Sequence, residues 1–257
     1  NAAYLGPKYA SIVLGNGNPP QNSERAAELT ADADARRNDF RRNLNRRFTA
    51  RRRTAETDVY TYKYEQAQQL MRQREIFDVS KEPAADHERY GKHALGKQCL
   101  LARRLLENEI TFVQVSHSNY DTHNENFNFH LEQMGEFDRS FSAIVSDLAD
   151  RGMLDSTLIV VMSEFGRTPR INPRYGRDHW GNAWSVVLGG GRVQCGALYG
   201  ATNKNGTAVS DKEVDHGQLF HTYLQAVGLD STSSFHVGGR DLPMADPSSS
   251  AIDELLA

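Results

Sequence analysis

"TLIVVMSEFGRTPRINPRYGRDHWGNAWSVVLGGG", residues 157–191, sets two short apolar runs around a long polar loop. The runs, Thr157–Met162 and Ala183–Leu188, have the Val/Ile/Leu character of strands covered on both faces. The loop between them holds Glu164, then Arg167, Arg170, Arg174 and Arg177, then Asp178 and His179 beside Trp180. Polar loops are common, but a carboxylate directly after a buried strand, followed by an Asp-His pair next to a Trp, is less so. What the loop means depends on what the rest of the chain brings to it.

Working upstream, Gly152 ends a segment with Leu131, Met134, Phe137, Phe141, Ile144, Val145 and Leu148 at three- and four-residue intervals, the signature of a helix with an apolar face. Before it lies a second polar loop, residues 116–126, containing His117, Asp121, His123 and Glu125. Before that, Ile110–Ser116 reads as a strand, and Leu95, Cys99, Leu101, Ala102, Leu105 and Leu106 read as a helix face. Downstream, residues 216–227 form an amphipathic helix ended by Gly228, and residues 231–257, with Pro243, Pro247 and several serines, read as a loosely ordered tail. This alternation predicts an α/β fold with a mostly parallel sheet. Ligands of such sheets sit beyond the carboxyl ends of the strands. Both polar loops follow such ends, so they are expected to meet at one edge.

The first 90 residues differ in character. Residues 1–20 carry Gly6, Pro7, Gly15, Gly17, Pro19 and Pro20 and read as an extended entry. From Asn22 to about Arg74 the pattern is helical with few apolar positions, so this region is expected to pack on the surface of the core in residues 91–230. Arginine clusters recur at 36–37, 41–42, 46–47 and 51–53. A five-residue step advances roughly 500° on a helix, so these clusters spiral round it without forming a stripe. They suit either an anion-binding arm or a solvated helical surface.

Bulk numbers bound the rest. With 257 residues, 39% hydrophobic and 25% charged, a buried core is feasible. The net charge of -3 argues against a nucleic-acid partner. No apolar run reaches the ~18 residues that a membrane span needs. Cys99 and Cys195 are too few for a disulfide framework.

Carboxylates and imidazoles together suit a divalent metal: zinc, manganese, iron or calcium. Asp121 and His123 are two apart, so an extended backbone points both to one side. Glu164 at a strand end could complete the set. Asp178 and His179 are adjacent and would diverge, so at least one of them supports another ligand or the substrate. Arg167 and Arg177 either neutralise the carboxylates or grip a tetrahedral anion. Each residue alone has a plainer role: Asp121 as a helix cap, His123 on the surface, Glu164 paired with Arg167. Five such residues on converging loops favour a site.

The blocks "LLARRLLE", "YDTHNENF", "SEFGRTPRIN", "GRDHWGNAWSVVLGGG" and "YGATNKNG" resemble a bacterial family of sulfatase-like proteins, domain-of-unknown-function family 1501, with the likeness strongest over residues 75–230. "EFDRSFSAIVSDLADRGMLDSTLIVVMSEFGR" is similar to the alkaline-phosphatase/sulfatase superfamily. The resemblance implies an alkaline-phosphatase-like three-layer sandwich and a metal-dependent phosphate- or sulfate-ester hydrolase. It implies Asp121, His123, Glu164 and His179 as metal ligands and Arg167, Arg177 and Asp178 as catalytic residues. Phe165 stands where the superfamily has a ligating histidine. The superfamily's nucleophile segment has no counterpart here, so the first strands are expected to be absent or supplied by another polypeptide. Without them a non-catalytic accessory subunit, docked through the helical arm, is the alternative. Family members commonly carry an export signal, which implies periplasmic or extracellular residence.

Overall fold

The computed structural model describes residues 5–6, 9–50, 52, 55–237 and 239–257, with backbone alone at 55–56. It is a mixed α/β chain that divides into two compact units, residues 1–115 and 116–257.

In the first unit, helix α1 (Ala31–Thr49) starts at Thr30, whose hydroxyl accepts the Ala33 N–H. Asp32 and Asp34 in its first turn and Arg46 and Arg47 in its last complement the helix dipole. Helix α2 (Ala55–Arg72) packs on it through Arg41–Glu65 at 2.6 Å, Asn45–Thr61 at 2.9 Å, and the Arg41 guanidinium 4.6 Å from the Tyr64 ring. Within this unit the Arg-rich helix pairs with α2. α1 buries none of its residues, and Phe40, Leu44 and Phe48 are exposed. With so few apolar positions, polar and cation–π contacts do the pairing.

The core of this unit lies further on. Helix α4 (Ala94–Glu107) buries Leu95, Cys99, Leu100, Leu101, Ala102 and Leu105 against α3 (Ala84–Tyr90) and the 3-10 turns at 74–77 and 79–81. Arg103, 2% exposed, pairs with Glu82, which also receives Arg104. This packing puts residues 91–115 with the first unit and moves the expected boundary at 90 to 115. The expected strand Ile110–Ser116 is not formed. Among the described residues it has no ladder partner, and Phe112 is 82% exposed.

In the second unit, helix α5 (Asn126–Asp150) buries Asn126, Gln133, Ser140 and Asp147 along one line, with Ala143 and Leu148 beside them. Of the expected apolar face, Leu131 and Met134 are exposed. Strand β1 (Ile159–Val161) does follow α5. It pairs antiparallel with β4 (Val187–Gly189), in the register Ile159↔Gly189, Val160↔Leu188 and Val161↔Val187. Every described pair is antiparallel: β2 (Gly166–Arg167) with β3 (His179–Trp180), β5 (Ala201–Thr202) with β6 (Val209–Asp211), and β7 (Ser234–Val237) with β8 (Arg240–Pro243). The expected mostly parallel sheet is thus not what the strands form. A parallel return needs a crossover, usually helical, and the segment between β1 and β4 contains no helix.

The tail is better ordered than expected. In helix α6 (His216–Ala226), Thr222 accepts the Ile252 N–H at 3.0 Å. Ile252 is 2% exposed, and the Ala257 N–H donates to the Arg192 carbonyl. His221 is buried, donating to the Asp246 carbonyl and accepting from the Ser231 hydroxyl, both at 2.8 Å.

Candidate metal centre

The two polar loops do meet, within the second unit. They meet through a backbone crossing next to the β2–β3 pair. Asn124 and Tyr175 form an isolated antiparallel bridge. Around it the Glu125 N–H donates to the Arg174 carbonyl, Asn126 to Tyr175, and Arg177 to Thr122, at 3.0–3.1 Å. Asn172 serves both sides. Its side-chain amide donates to the His123 carbonyl at 2.9 Å and to Asp178 at 3.2 Å, and its oxygen accepts the Arg174 and Gly176 N–H groups. At the crossing, a Cβ on Gly176 would lie 2.0 Å from the His123 carbonyl carbon and oxygen. Only glycine lets the backbones approach so closely.

This crossing, with the β2–β3 arm, gathers Asp121, His123 and His179 so that their donor atoms converge. The Asp178 carboxylate accepts the His123 Nδ1–H at 2.7 Å, which leaves Nε2 with a free lone pair. That Nε2 stands 3.0 Å from Asp121 Oδ1 and 3.2 Å from His179 Nε2, and His179 Nε2 donates to Asp121 Oδ1 at 2.8 Å. Donors around a tetrahedral ion with bonds of about 2.0–2.1 Å stand about 3.3 Å apart, so the triangle is a few tenths of an ångström tighter than a loaded site. Binding would displace the His179 Nε2 proton. The hydrogen bond from His179, then that from Arg167, holds the Asp121 carboxyl down to about 2. The Asp178 carboxyl is also lowered, first by the His123 hydrogen bond.

The remaining expected residues supply none of the converging donors. Glu164 is exposed and is not one of the converging donors. Phe165 packs its ring 4.4 Å from His179. Arg167 donates to Asp121 Oδ1 at 3.0 Å and faces the Arg177 carbonyl at 3.4 Å. Arg177 donates to the Thr168 and Pro169 carbonyls, both at 2.7 Å, and so holds the loop. His117 meets Tyr120 at 2.9 Å and Glu136 at 3.3 Å, and Glu125 accepts from Asn128. Asn172, Gly176 and a cleft of about 390 Å³ that shares Phe165 and Arg167 with this centre were not foreseen. The Asn172-Pro173 pair and Gly176 were the available signals of a tight turn.

A family model described as "Protein of unknown function (DUF1501)" matches residues 1–256. The chain belongs to that family. The DUF1501 match thus extends beyond residues 75–230 on both sides. No curated protein and no solved structure matches this DUF1501 chain.

Proposed function

We propose that the chain is a metal-dependent phosphate- or sulfate-ester hydrolase. The observation that carries this reading is the convergence of Asp121, His123 and His179, with Asp178 fixing the tautomer of His123. Such carboxylate–imidazole–metal arrangements orient the ring and raise its basicity. Two imidazoles and one carboxylate fit zinc, manganese or iron; calcium, which takes six to eight oxygens, fits poorly. A bound divalent ion supplies Lewis acidity to an ester oxygen. Asp121, His123 and His179 hold the ion and Asp178 positions His123. Arg167, already at the edge of the donor set, faces the anionic oxygens of the ester. Arg177 positions the loop through its two carbonyl contacts. Kinship with the alkaline-phosphatase/sulfatase superfamily, its layered sandwich, and residence outside the cytoplasm belong to the same proposal and rest on the motif resemblance.

A second reading, a non-catalytic accessory subunit with a reduced site, is favoured by Phe165 packing on His179 and by Glu164 standing apart. Metal content and turnover of 4-nitrophenyl phosphate and 4-nitrophenyl sulfate separate the two. One equivalent of zinc or manganese with hydrolysis, both lost in Asp121→Ala and His179→Ala, supports the hydrolase. Stoichiometric metal without turnover of either ester supports the accessory subunit. No metal at all overturns the centre.

A further inference from the structure

The cleft beside the triad has the size of a small-ligand site. Tyr120, Phe165 and Trp184 give its wall flat apolar faces, while Ser163, Glu164 and Ser185 give it hydrogen-bonding groups. Two of the aromatic walls are held in place. The Tyr120 hydroxyl meets His117 Nδ1 at 2.9 Å, and His117 Nε2 faces Glu136 at 3.3 Å. Phe165 lies between the His179 ring at 4.4 Å and the Arg167 guanidinium at 5.9 Å. Walls fixed by neighbours lose little entropy when a ligand enters.

Charge is divided across this cleft. Arg167, the cation in its wall, is tied to Asp121 at the triad end. Glu164 is exposed, and among the described residues it forms no ion pair. An anionic group is drawn to the Arg167 end and repelled by Glu164. A carboxylate accepts hydrogen bonds and donates none, so the hydroxyls of a neutral ligand can satisfy it. A plain aromatic ring would cover the flat walls but offer no hydroxyl to Glu164 or Ser185; the Ser163 hydroxyl already donates to the Phe165 carbonyl at 2.8 Å.

We propose that the cleft binds the organic half of the substrate: a neutral, polyhydroxylated ring of monosaccharide type whose anionic ester group lies toward Arg167. This deepens the hydrolase reading, resting on it for the fate of the ester but not for the binding of the ring. Calorimetric titration of zinc-loaded and metal-free protein with glucose 6-phosphate, phenyl phosphate and inorganic phosphate tests it. In both forms glucose 6-phosphate is expected to bind about tenfold more tightly than inorganic phosphate, and more tightly than phenyl phosphate. Glu164→Gln is expected to remove most of that advantage while leaving zinc affinity as it was and inorganic phosphate bound as tightly or more tightly, since a repelling charge is gone. Trp184→Ala, as a second variant, should weaken both ring-bearing ligands. Equal affinities for glucose 6-phosphate and inorganic phosphate, or a phenyl phosphate preference unmoved by Glu164→Gln, overturns the proposal. A zinc titration is a separate reading. Its failure sinks the metal centre, while the ring preference is still measured on the metal-free protein.

Discussion

Replacing Gly176 by alanine strikes the crossing on which the centre depends. The new Cβ would sit 2.0 Å from the His123 carbonyl carbon and oxygen and 2.4 Å from the Asn124 nitrogen. To reach the roughly 3.5 Å at which heavy atoms settle, the two backbones must part by about 1.5 Å. Bonds now at 2.9–3.1 Å, those of Glu125 with Arg174, Asn126 with Tyr175, Arg177 with Thr122 and Asn172 with His123, would stretch beyond useful length. At about 0.5–1.5 kcal/mol net each, loss of the four costs roughly 2–6 kcal/mol. The same movement draws His123 from His179, so zinc affinity should fall at least about tenfold. Trp180 and Trp184, the only tryptophans, both lie in this unit, so urea unfolding followed by tryptophan fluorescence reads it directly. Gly135, exposed in α5 with nothing within 4 Å of a built Cβ, is the control; its alanine variant should gain about 0.5–1 kcal/mol. A Gly176→Ala protein within about 0.5 kcal/mol of the parent, binding zinc equally well, refutes the reasoning.

Asp178→Asn should lower zinc affinity about 10–100-fold, as loss of a supporting carboxylate does, with little change in the unfolding midpoint; unchanged affinity in a competition titration contradicts the assigned role. Glu82→Gln leaves buried Arg103 without its nearest carboxylate and should cost about 3 kcal/mol in the first unit, read by circular dichroism at 222 nm. Burial pushes the Cys99 thiol up to about 11, against 9.0 for the free group. Between those values the unfolded chain gives up its proton while the folded chain keeps it, so stability falls as pH rises, by at most about 2.7 kcal/mol. A Cys99→Ala protein should lack that component, and in the parent at pH 8 a thiol reagent should label exposed Cys195 fast and buried Cys99 slowly.

The meeting of the two polar loops was more legible in the sequence than the fold around them. Asp121, His123 and His179 stood out because chemistry-bearing residues clustered on two loops, and local spacing is enough to see that. Asp178, adjacent to His179, was expected to diverge from it, and it faces His123 while His179 faces Asp121. Strand pairing was not legible, because an apolar run such as Thr157–Met162 does not carry its partner's direction. The absence of a helix between β1 and β4 was the clue to the antiparallel return. Ile110–Ser116 has strand composition and no strand, since a ladder needs a neighbour as well as β-branched residues. Glu164 was placed among the ligands by its position after a strand, yet the chain turns there and leaves it in the cleft wall.

The most direct test of the centre is the zinc-edge X-ray absorption spectrum of the protein loaded with one equivalent of zinc. The expected spectrum has two imidazole nitrogens and at least one oxygen at about 2.0–2.1 Å, with one imidazole lost in His123→Ala and one in His179→Ala. A sulfur shell at about 2.3 Å, or an oxygen-only shell unchanged by either variant, would contradict it.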